Sequence, residues 1–172
     1  MAAQPPTPLD SLLVEIDTAC NNGLCQLALA MTFALPDICV SLSSQDGRST
    51  GARYVEWCKD NLDDRFSFVT GEDLYSMRCG VLHNGRFGEL KHGVARVLFA
   101  PPNANGHIFV NNLINDAYFY GAVEFCRNFA DAVRTWYGKN ANDPTVKANL
   151  PRMMQYHPNG IPPYVVGTTV LG

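Results

Sequence analysis

The first third of the chain places apolar residues at helical spacing, and this pattern predicts amphipathic helices. Residues 1–6 lack such spacing and are expected to form a peripheral leader. Thr7, Pro8 and Asp10 then predict a helix start, because a capping side chain, a proline in the first turn and a nearby acid all favour one. This first helix is expected to stop at residues 21–23, Asn-Asn-Gly. Its apolar face consists of Leu9, Leu12, Leu13, Ile16 and Cys20.

The next stretch is apolar on nearly every side. Residues 24–35 are expected to form a helix buried at the centre of a bundle, because a helix without a polar face needs partners all round. Pro36 is expected to kink or break it, with residues 37–42 resuming as a short helix. Asp37 lies within this apolar stretch and therefore needs a polar partner. A helix cap is the favoured role for Asp37, and an ion pair with Arg78 or Arg53 is the alternative.

Two further helices are predicted in the middle of the chain. Residues 43–51 are polar and contain glycine, so they are expected to form a loop before a third helix over 52–62. Thr70 and Asp73 have the spacing of a capping box and predict the start of a fourth helix. That helix is expected to end near Asn84 and Gly85.

The last third of the chain predicts a small β element and one long helix. Residues 94–100 and 107–114 are rich in β-branched and aromatic residues and are separated by a Pro/Asn/Gly-rich stretch, which predicts a β-hairpin over about 94–114. Apolar residues at helical spacing predict a helix over 117–137. The tail from 139 is expected to be irregular and peripheral, with one helical turn beginning at Pro144. The fold class is therefore mainly α: one domain over 1–172, built as an up-down bundle with an inserted hairpin.

Composition and charge narrow the possible functions. Charged residues make up 17% of the 172 residues and apolar residues 47%, which excludes a disordered chain. The net charge is −3, so no overall positive field attracts nucleic acid, and any RNA contact would depend on a local basic cluster. Gln26, Pro36 and Asp37 interrupt the most apolar stretch, and the first residues do not have the pattern of a secretory signal. Six cysteines without a C-x-x-C pair favour buried free thiols, and together these features predict a soluble cytoplasmic protein.

Common catalytic motifs are missing from the sequence, which leaves one candidate segment. There is no phosphate loop, no dinucleotide-binding glycine turn, no His-Glu-x-x-His metal pair and no nucleophile elbow. Neither a metal nor a cofactor is therefore expected. The remaining candidate is the fourth helix, which carries Tyr-Ser-Met-Arg-Cys-Gly-Val-Leu-His-Asn-Gly over 75–85.

This segment resembles a known family. Arg78, four residues and then His83 match the R-x4-6-H motif of HEPN domains, small helical proteins found among prokaryotic toxins and RNA-processing or defence enzymes. Pro-Asp-Ile-Cys after an apolar helix, followed later by Tyr-x-x-Arg-Cys-x-x-Leu-His-x-Gly, is also similar to uncharacterised bacterial HEPN-like proteins. The resemblance covers about 9–137. It implies an HEPN-type bundle, a homodimer and a metal-independent endoribonuclease. The role that the resemblance implies is that of a toxin or defence effector with a neutralising partner protein.

The resemblance also implies a role for each candidate residue. His83 would transfer the proton of an RNA 2′-hydroxyl, and Arg78 would stabilise charge on the attacked phosphate. Asn84, Arg86 and Lys91 are candidates for binding the substrate. Family nucleases usually have a polar residue directly after the arginine. That position is Cys79 here, and Asn84 is the candidate to replace the missing polar group.

Helix geometry leads to a further expectation about the pair. Side chains five positions apart point about 140° away from each other on an ideal helix. Arg78 and His83 of one chain are therefore expected to meet only if the helix unwinds at residues 84–85. A composite cleft between two subunits is the favoured alternative.

Other roles remain open for the same residues. Arg78 can instead form a structural ion pair with Asp73, Glu72 or Asp37, and His83 can simply be a residue favoured at a helix C-terminus. Cys79 and His83 lie four positions apart and could form a thiol–imidazole pair. The chain could accordingly be a non-catalytic HEPN-like module that dimerises and binds a partner protein or a nucleotide.

Overall fold

Helices form most of the structure. The computed structural model describes residues 6–62, 65–66, 68–91, 94–102 and 112–172, so residues 1–5 of the predicted leader lie outside the described part. The mainly α prediction is confirmed. In the described residues, five helices of twelve or more residues form one apolar core, and their bounds are α1 Pro8–Asn21, α2 Cys25–Ser43, α3 Gly51–Leu62, α4 Gly71–Asn84 and α5 Ala122–Asn140.

The predicted helix starts follow from short-range hydrogen bonds. Thr7 accepts a bond from the Asp10 backbone N–H through its hydroxyl (3.1 Å), and the Asp10 carboxylate accepts one from the Thr7 N–H (3.0 Å). Thr70 and Asp73 form the same reciprocal pair at the start of α4. Gly85 ends α4 with φ 64°, a left-handed conformation that glycine adopts at little cost. The sequence predictions for both helix starts and for the end of α4 are confirmed.

The predicted break at Pro36 is wrong, because α2 continues through it to Ser43. A proline inside a helix removes one backbone hydrogen bond and costs about 3 kcal/mol. Burial of Leu35, Pro36 and Cys39 among the other helices outweighs that cost. Asp37 therefore lies inside a helix, and its predicted role as a helix cap is wrong as well.

The central helix α2 is also the most apolar element. Among the described residues it is the one helix long and apolar enough to cross a membrane by length and composition. Half of its apolar window is buried inside the protein, against α1, α3, α4 and α5. This burial is typical of the core helix of a soluble protein.

A three-stranded sheet replaces the predicted hairpin. Strands β1 (Arg96–Ala100) and β2 (Asn112–Ile114) do not pair with each other, because β3 (Ala117–Gly121) lies between them. β3 is parallel to β1 and antiparallel to β2. Residues 107–111 of the second predicted strand lie outside the described residues. The prediction of a hairpin over 94–114 is therefore wrong in its pairing.

The same sheet corrects the start of the last long helix. Residues 117–121 form β3, and α5 begins at Ala122 instead of residue 117. Aromatic residues favour a strand, and Tyr118 and Tyr120 are buried between the sheet and the helices. On α5, Phe125 packs against Phe33 of α2, with ring centroids 5.5 Å apart. Phe99 of β1 packs on the same Phe125 ring, with centroids 4.8 Å apart, so these aromatic contacts hold both the sheet and α5 against the centre of the bundle.

The C-terminal region has more regular structure than predicted. The expected turn at Pro144 is confirmed as helix α6 (Pro144–Asn149), which a 3-10 turn extends to Arg152. Asn149 donates through Nδ2 to the carbonyl oxygens of Leu42 (3.1 Å) and Ser44 (2.8 Å), which ties α6 to the end of α2. Residues 153–172, here named the C-terminal ribbon, fold back on themselves. Four short strands pair in the ribbon: β4 Tyr156–His157 with β7 Val170–Leu171, and β5 Gly160–Ile161 with β6 Val165–Val166.

After α4 the chain runs back along the same helix. The Ser76 hydroxyl donates to the Glu89 carbonyl oxygen (2.6 Å), and the Lys91 N–H donates to the Asp73 carboxylate (2.8 Å). Gly88 and Gly80 lie at the closest approach, and a Cβ added to Gly88 would overlap the Ser76 carbonyl oxygen. Two glycines therefore allow residues 85–91 to lie flat on α4.

We expect Gly88→Ala to lower the free energy of unfolding by about 1–3 kcal/mol, because the overlapping atom is backbone and the returning segment must move. A thermal melt measures the effect. Gly138→Ala is the matched control: that glycine lies in α5 with open space around it, so alanine is expected to stabilise the helix by up to about 1 kcal/mol. An unchanged melting temperature for Gly88→Ala would contradict this account of the contact.

Candidate functional site

The candidate site is built on an ion pair between α4 and α2. Arg78 donates through Nε to the Asp37 carboxylate over 2.7 Å, and the two side chains are only 23% and 19% exposed. Of the partners open from the sequence, Asp37 is therefore the observed one. Asp73 is instead buried in the capping box at the other end of the helix. Burial alone would lower the pKa of Arg78, but the charge and hydrogen bond of Asp37 outweigh it and raise that pKa above its usual range.

The same guanidinium reaches His83. The Arg78 Nη1 atom lies 3.3 Å from Nε2 of His83, which is exposed in the last turn of α4. Arginine has only donors, so Nε2 accepts this bond when the imidazole is neutral and its proton is on Nδ1. Asp37, Arg78 and His83 thus form a line of side chains from the half-buried helix interface to the solvent.

The expectation that the pair cannot converge within one chain is wrong. α4 stays helical through Asn84, with no unwinding, yet the two side chains are within hydrogen-bond distance. The angular estimate used only the directions in which side chains leave the helix. The arginine stem is long and flexible enough to cover the remaining angle. Convergence therefore does not require a second subunit.

Cys79 and Tyr75 lie beside the arginine on the same helix. The Cys79 sulfur is 4.0 Å from Arg78 Nη1. A hydrogen bond with Cys79 raises the pKa of the Tyr75 hydroxyl, and the Tyr75 ring packs against Tyr54 with centroids 5.3 Å apart. Within the described part of the chain, no hydrogen bond joins Cys79 to His83. The geometry thus favours a packing role for Cys79 next to the guanidinium over a thiol–imidazole pair.

The three candidate substrate-binding residues lie in two different places. Asn84 is the last residue of α4 and Arg86 follows the Gly85 turn, so both are exposed at the same helix end as His83. The Lys91 backbone is bonded to Asp73 in the first turn of α4. Asp73 and His83 are ten positions apart, which is about 15 Å along a helix. Asn84 and Arg86 thus lie at the same end of α4 as His83, and the Lys91 backbone lies at the opposite end.

The residue that sequence reasoning did not place in the site is Asp37. The sequence did indicate that Asp37 has a polar partner, because a carboxylate inside an apolar helix requires one. What the sequence could not specify was which arginine comes near, since 41 positions separate Asp37 from Arg78. The complete arrangement is a fixed guanidinium and an exposed imidazole, with an exposed amide on the residue after the histidine. Such a set can bind an anion and move a proton.

Comparisons of the chain with protein-family models, with curated proteins and with solved structures gave no match. The likeness to HEPN domains therefore depends on the motif and its surrounding residues.

Proposed function

We propose that this protein is an HEPN-like, metal-independent endoribonuclease in which Arg78 and His83 form the catalytic pair. The observation that supports this proposal is the 3.3 Å approach of Arg78 Nη1 to His83 Nε2 at an exposed helix end. A donor fork next to a proton acceptor is what cleavage by a neighbouring 2′-hydroxyl needs. Asp37 adds to it, because it holds the guanidinium through Nε and leaves Nη1 to face His83.

The proposed reaction uses each group in turn. The phosphate takes over the donors of Arg78 Nη1, which frees Nε2 of His83 to accept the proton of the 2′-hydroxyl. The 2′-oxygen attacks phosphorus, and the bond to the 5′-oxygen breaks. The imidazolium of His83 returns the proton to the departing 5′-oxygen. The products are a 2′,3′-cyclic phosphate and a 5′-hydroxyl, and Arg78 stabilises the negative charge that builds up on the phosphate.

Substrate contacts in this proposal come from the end of α4. In this proposal Asn84 binds a base or sugar, and Arg86 binds a neighbouring phosphate. Lys91 is too distant along the helix to share that phosphate. The proposal extends to a cytoplasmic homodimer that acts as a toxin or defence effector under the control of a neutralising partner protein.

The direct test is cleavage of a labelled single-stranded RNA by the purified protein in the presence of EDTA. We expect fragments ending in 2′,3′-cyclic phosphate, because the attacking group is the RNA's own hydroxyl. The matched control is the same sequence with every 2′-oxygen methylated, which must stay intact. RNA that remains uncut at equimolar enzyme, or cutting of the methylated strand, would contradict the proposal.

A second candidate function is supported by the ion pair itself. Arg78 links α4 to α2 and is mostly buried, which is typical of a structural arginine. In this alternative the chain is a non-catalytic HEPN-like module that dimerises and binds a partner protein or a nucleotide. The two functions differ in what they predict for RNA cleavage by variants of Asp37 and Arg78.

A further inference from the structure

Phe87 is a half-exposed aromatic residue in the segment that runs back along α4, and 42% of its surface is exposed. Its ring packs against Phe99 of β1, with centroids 5.3 Å apart, and against Phe33 of α2, with centroids 6.4 Å apart. These two contacts hold the ring against the core. The exposed part of the ring therefore has a fixed position before any ligand binds.

The backbone that carries Phe87 is attached to α4 on both sides of the ring. Before the ring, the Arg86 N–H donates to the Gly80 carbonyl oxygen (3.2 Å). After it, the Ser76 hydroxyl donates to the Glu89 carbonyl oxygen (2.6 Å). A ring on such a backbone loses little conformational freedom when it binds a flat ligand, and this lowers the cost of binding.

The returning segment lies on the face of α4 that also carries His83. Ser76, Gly80 and His83 follow each other at intervals of four and three residues, so these positions share one face of the helix. Ser76 and Gly80 are also the residues that this segment contacts most closely, through residues 86–88. Gly80 lies three positions before His83, about 4.5 Å along the helix. The backbone at Phe87 is therefore about one turn of α4 from the imidazole, which is within reach of a nucleotide next to the one that is cleaved.

We propose that Phe87 stacks on one base of a single-stranded RNA and so determines the substrate class of the proposed nuclease. This inference rests on the proposed function, which supplies the ligand. Every base has an aromatic face, so stacking binds RNA with little dependence on sequence. The base must be unpaired, because only then does it leave the helix and stack on a side chain. Arg86, next to the ring, adds the positive charge that single-strand sites combine with aromatic side chains.

Stacking on Phe87 selects among RNA substrates in two ways. A duplex keeps its bases stacked on one another and offers proteins its backbone and grooves, so the parent chain is expected to prefer a single strand. An unpaired purine has a larger ring surface than a pyrimidine and buries more apolar area on the phenylalanine. The expected order of affinity at the stacked position is purine, then pyrimidine, then a nucleotide without a base.

The test is binding of a fluorescein-labelled, fully 2′-O-methylated RNA single strand, measured by fluorescence anisotropy, so that binding is observed without cleavage. We expect Phe87→Leu to raise the Kd by about 5- to 150-fold, the usual loss when a stacked base loses its aromatic partner. Leucine keeps an apolar side chain against Phe33 and Phe99. Phe87→Tyr keeps the ring and is expected to leave the Kd nearly unchanged.

Phe68→Leu is the matched control for the loss of a phenylalanine ring. Phe68 is 39% exposed and packs on Tyr118 with centroids 5.3 Å apart, so its exposure and its ring contact are close to those of Phe87. It lies two residues before Thr70, the N-cap of α4, and thus at the end of the helix opposite to His83. We expect this variant to bind RNA as the parent chain does.

A series of abasic strands tests whether Phe87 acts on a base. Each nucleotide of the strand loses its base in turn, and the Kd is measured for the parent chain and for Phe87→Leu. At one position the parent chain is expected to lose as much affinity as Phe87→Leu loses on the intact strand. Phe87→Leu is expected to lose nothing further there, because both changes remove the same contact.

Each outcome bears on the proposal. Weaker binding by Phe87→Leu, but not by Phe87→Tyr or Phe68→Leu, supports it, as does one abasic position that affects the parent chain alone. Equal binding by Phe87→Leu and the parent chain, equal binding of duplex and single strand, or no binding of RNA overturns it. Cleavage of unmethylated RNA judges the ribonuclease separately. Cutting without an effect of Phe87→Leu on binding rejects only the stacking, and binding that depends on Phe87 without any cutting rejects only the catalysis.

Discussion

His83→Ala is expected to lower the rate of RNA cleavage by about 10²–10⁴-fold, the range that a positioned acid–base group contributes. His83 is exposed in the last turn of α4, and its ring contacts the end of the Arg78 side chain, not the core. Its removal therefore takes away the proton acceptor without opening a cavity. The initial rate of cleavage on a defined RNA measures the loss of activity. A thermal melt of the same sample checks that stability is retained.

His157→Ala is the matched control for this variant. His157 lies in β4 of the C-terminal ribbon, away from α4, so its removal is expected to leave the cleavage rate within about twofold, because surface substitutions far from a site have small effects. A rate for His83→Ala equal to that of the parent chain would exclude His83 as the acid–base group. An equal loss in both variants would point instead to a contaminating nuclease or to an effect on folding.

The helix starts could be predicted because their causes are local. Thr7 with Asp10, and Thr70 with Asp73, satisfy each other's backbone groups within four residues. Nothing distant is needed to produce those bonds. Pro36 is the opposite case, since its local preference is to end a helix and the burial of α2 on several sides overrides it.

The sheet could not be predicted because its pairing is non-local. Residues 117–121 carry apolar residues that fit either a strand or the first turn of α5, and the pattern alone does not separate the two. The residues that could have indicated the pairing of β2 with β3 are Asn115 and Asp116, which form the two-residue turn between these strands. Asn115 has φ 54° there, a conformation that asparagine tolerates better than most residues.

The candidate site also has one part that is predictable from local sequence and one part that depends on distant residues. Arg78 and His83 could be found from a motif within one helix, because both residues lie in the same local segment. Asp37 joins them only through the packing of α4 on α2. The length of the arginine side chain then brings Nη1 to His83, which an estimate from helix angles alone does not include.

Asp37→Asn is expected to lower the cleavage rate constant kcat by about 10- to 100-fold, because the carboxylate aims the guanidinium at the phosphate and small errors of position cost about this much. Arg78→Ala is expected to cost about 10²–10³-fold, the usual loss when a donor to a developing negative charge is removed. The double variant should be no slower than Arg78→Ala alone, since Asp37 acts through Arg78. The measurement is kcat for the parent chain, the two single variants and the double variant, which together form a double-mutant cycle.

Stability and cleavage rate, measured together in the same four proteins, separate catalysis from a structural role. Loss of a hydrogen bond to a charged group costs about 1.5–3 kcal/mol, so each single variant is expected to melt a few degrees lower in either case. If the role of Arg78 is only structural, the single variants lose equal amounts of stability and no effect on RNA cleavage is measured. Arg78→Lys decides between them, because lysine keeps the positive charge for Asp37 but not the planar fork of donors. We expect this variant to recover most of the lost stability while kcat stays within about tenfold of Arg78→Ala; full recovery of both would assign Arg78 to the structural role.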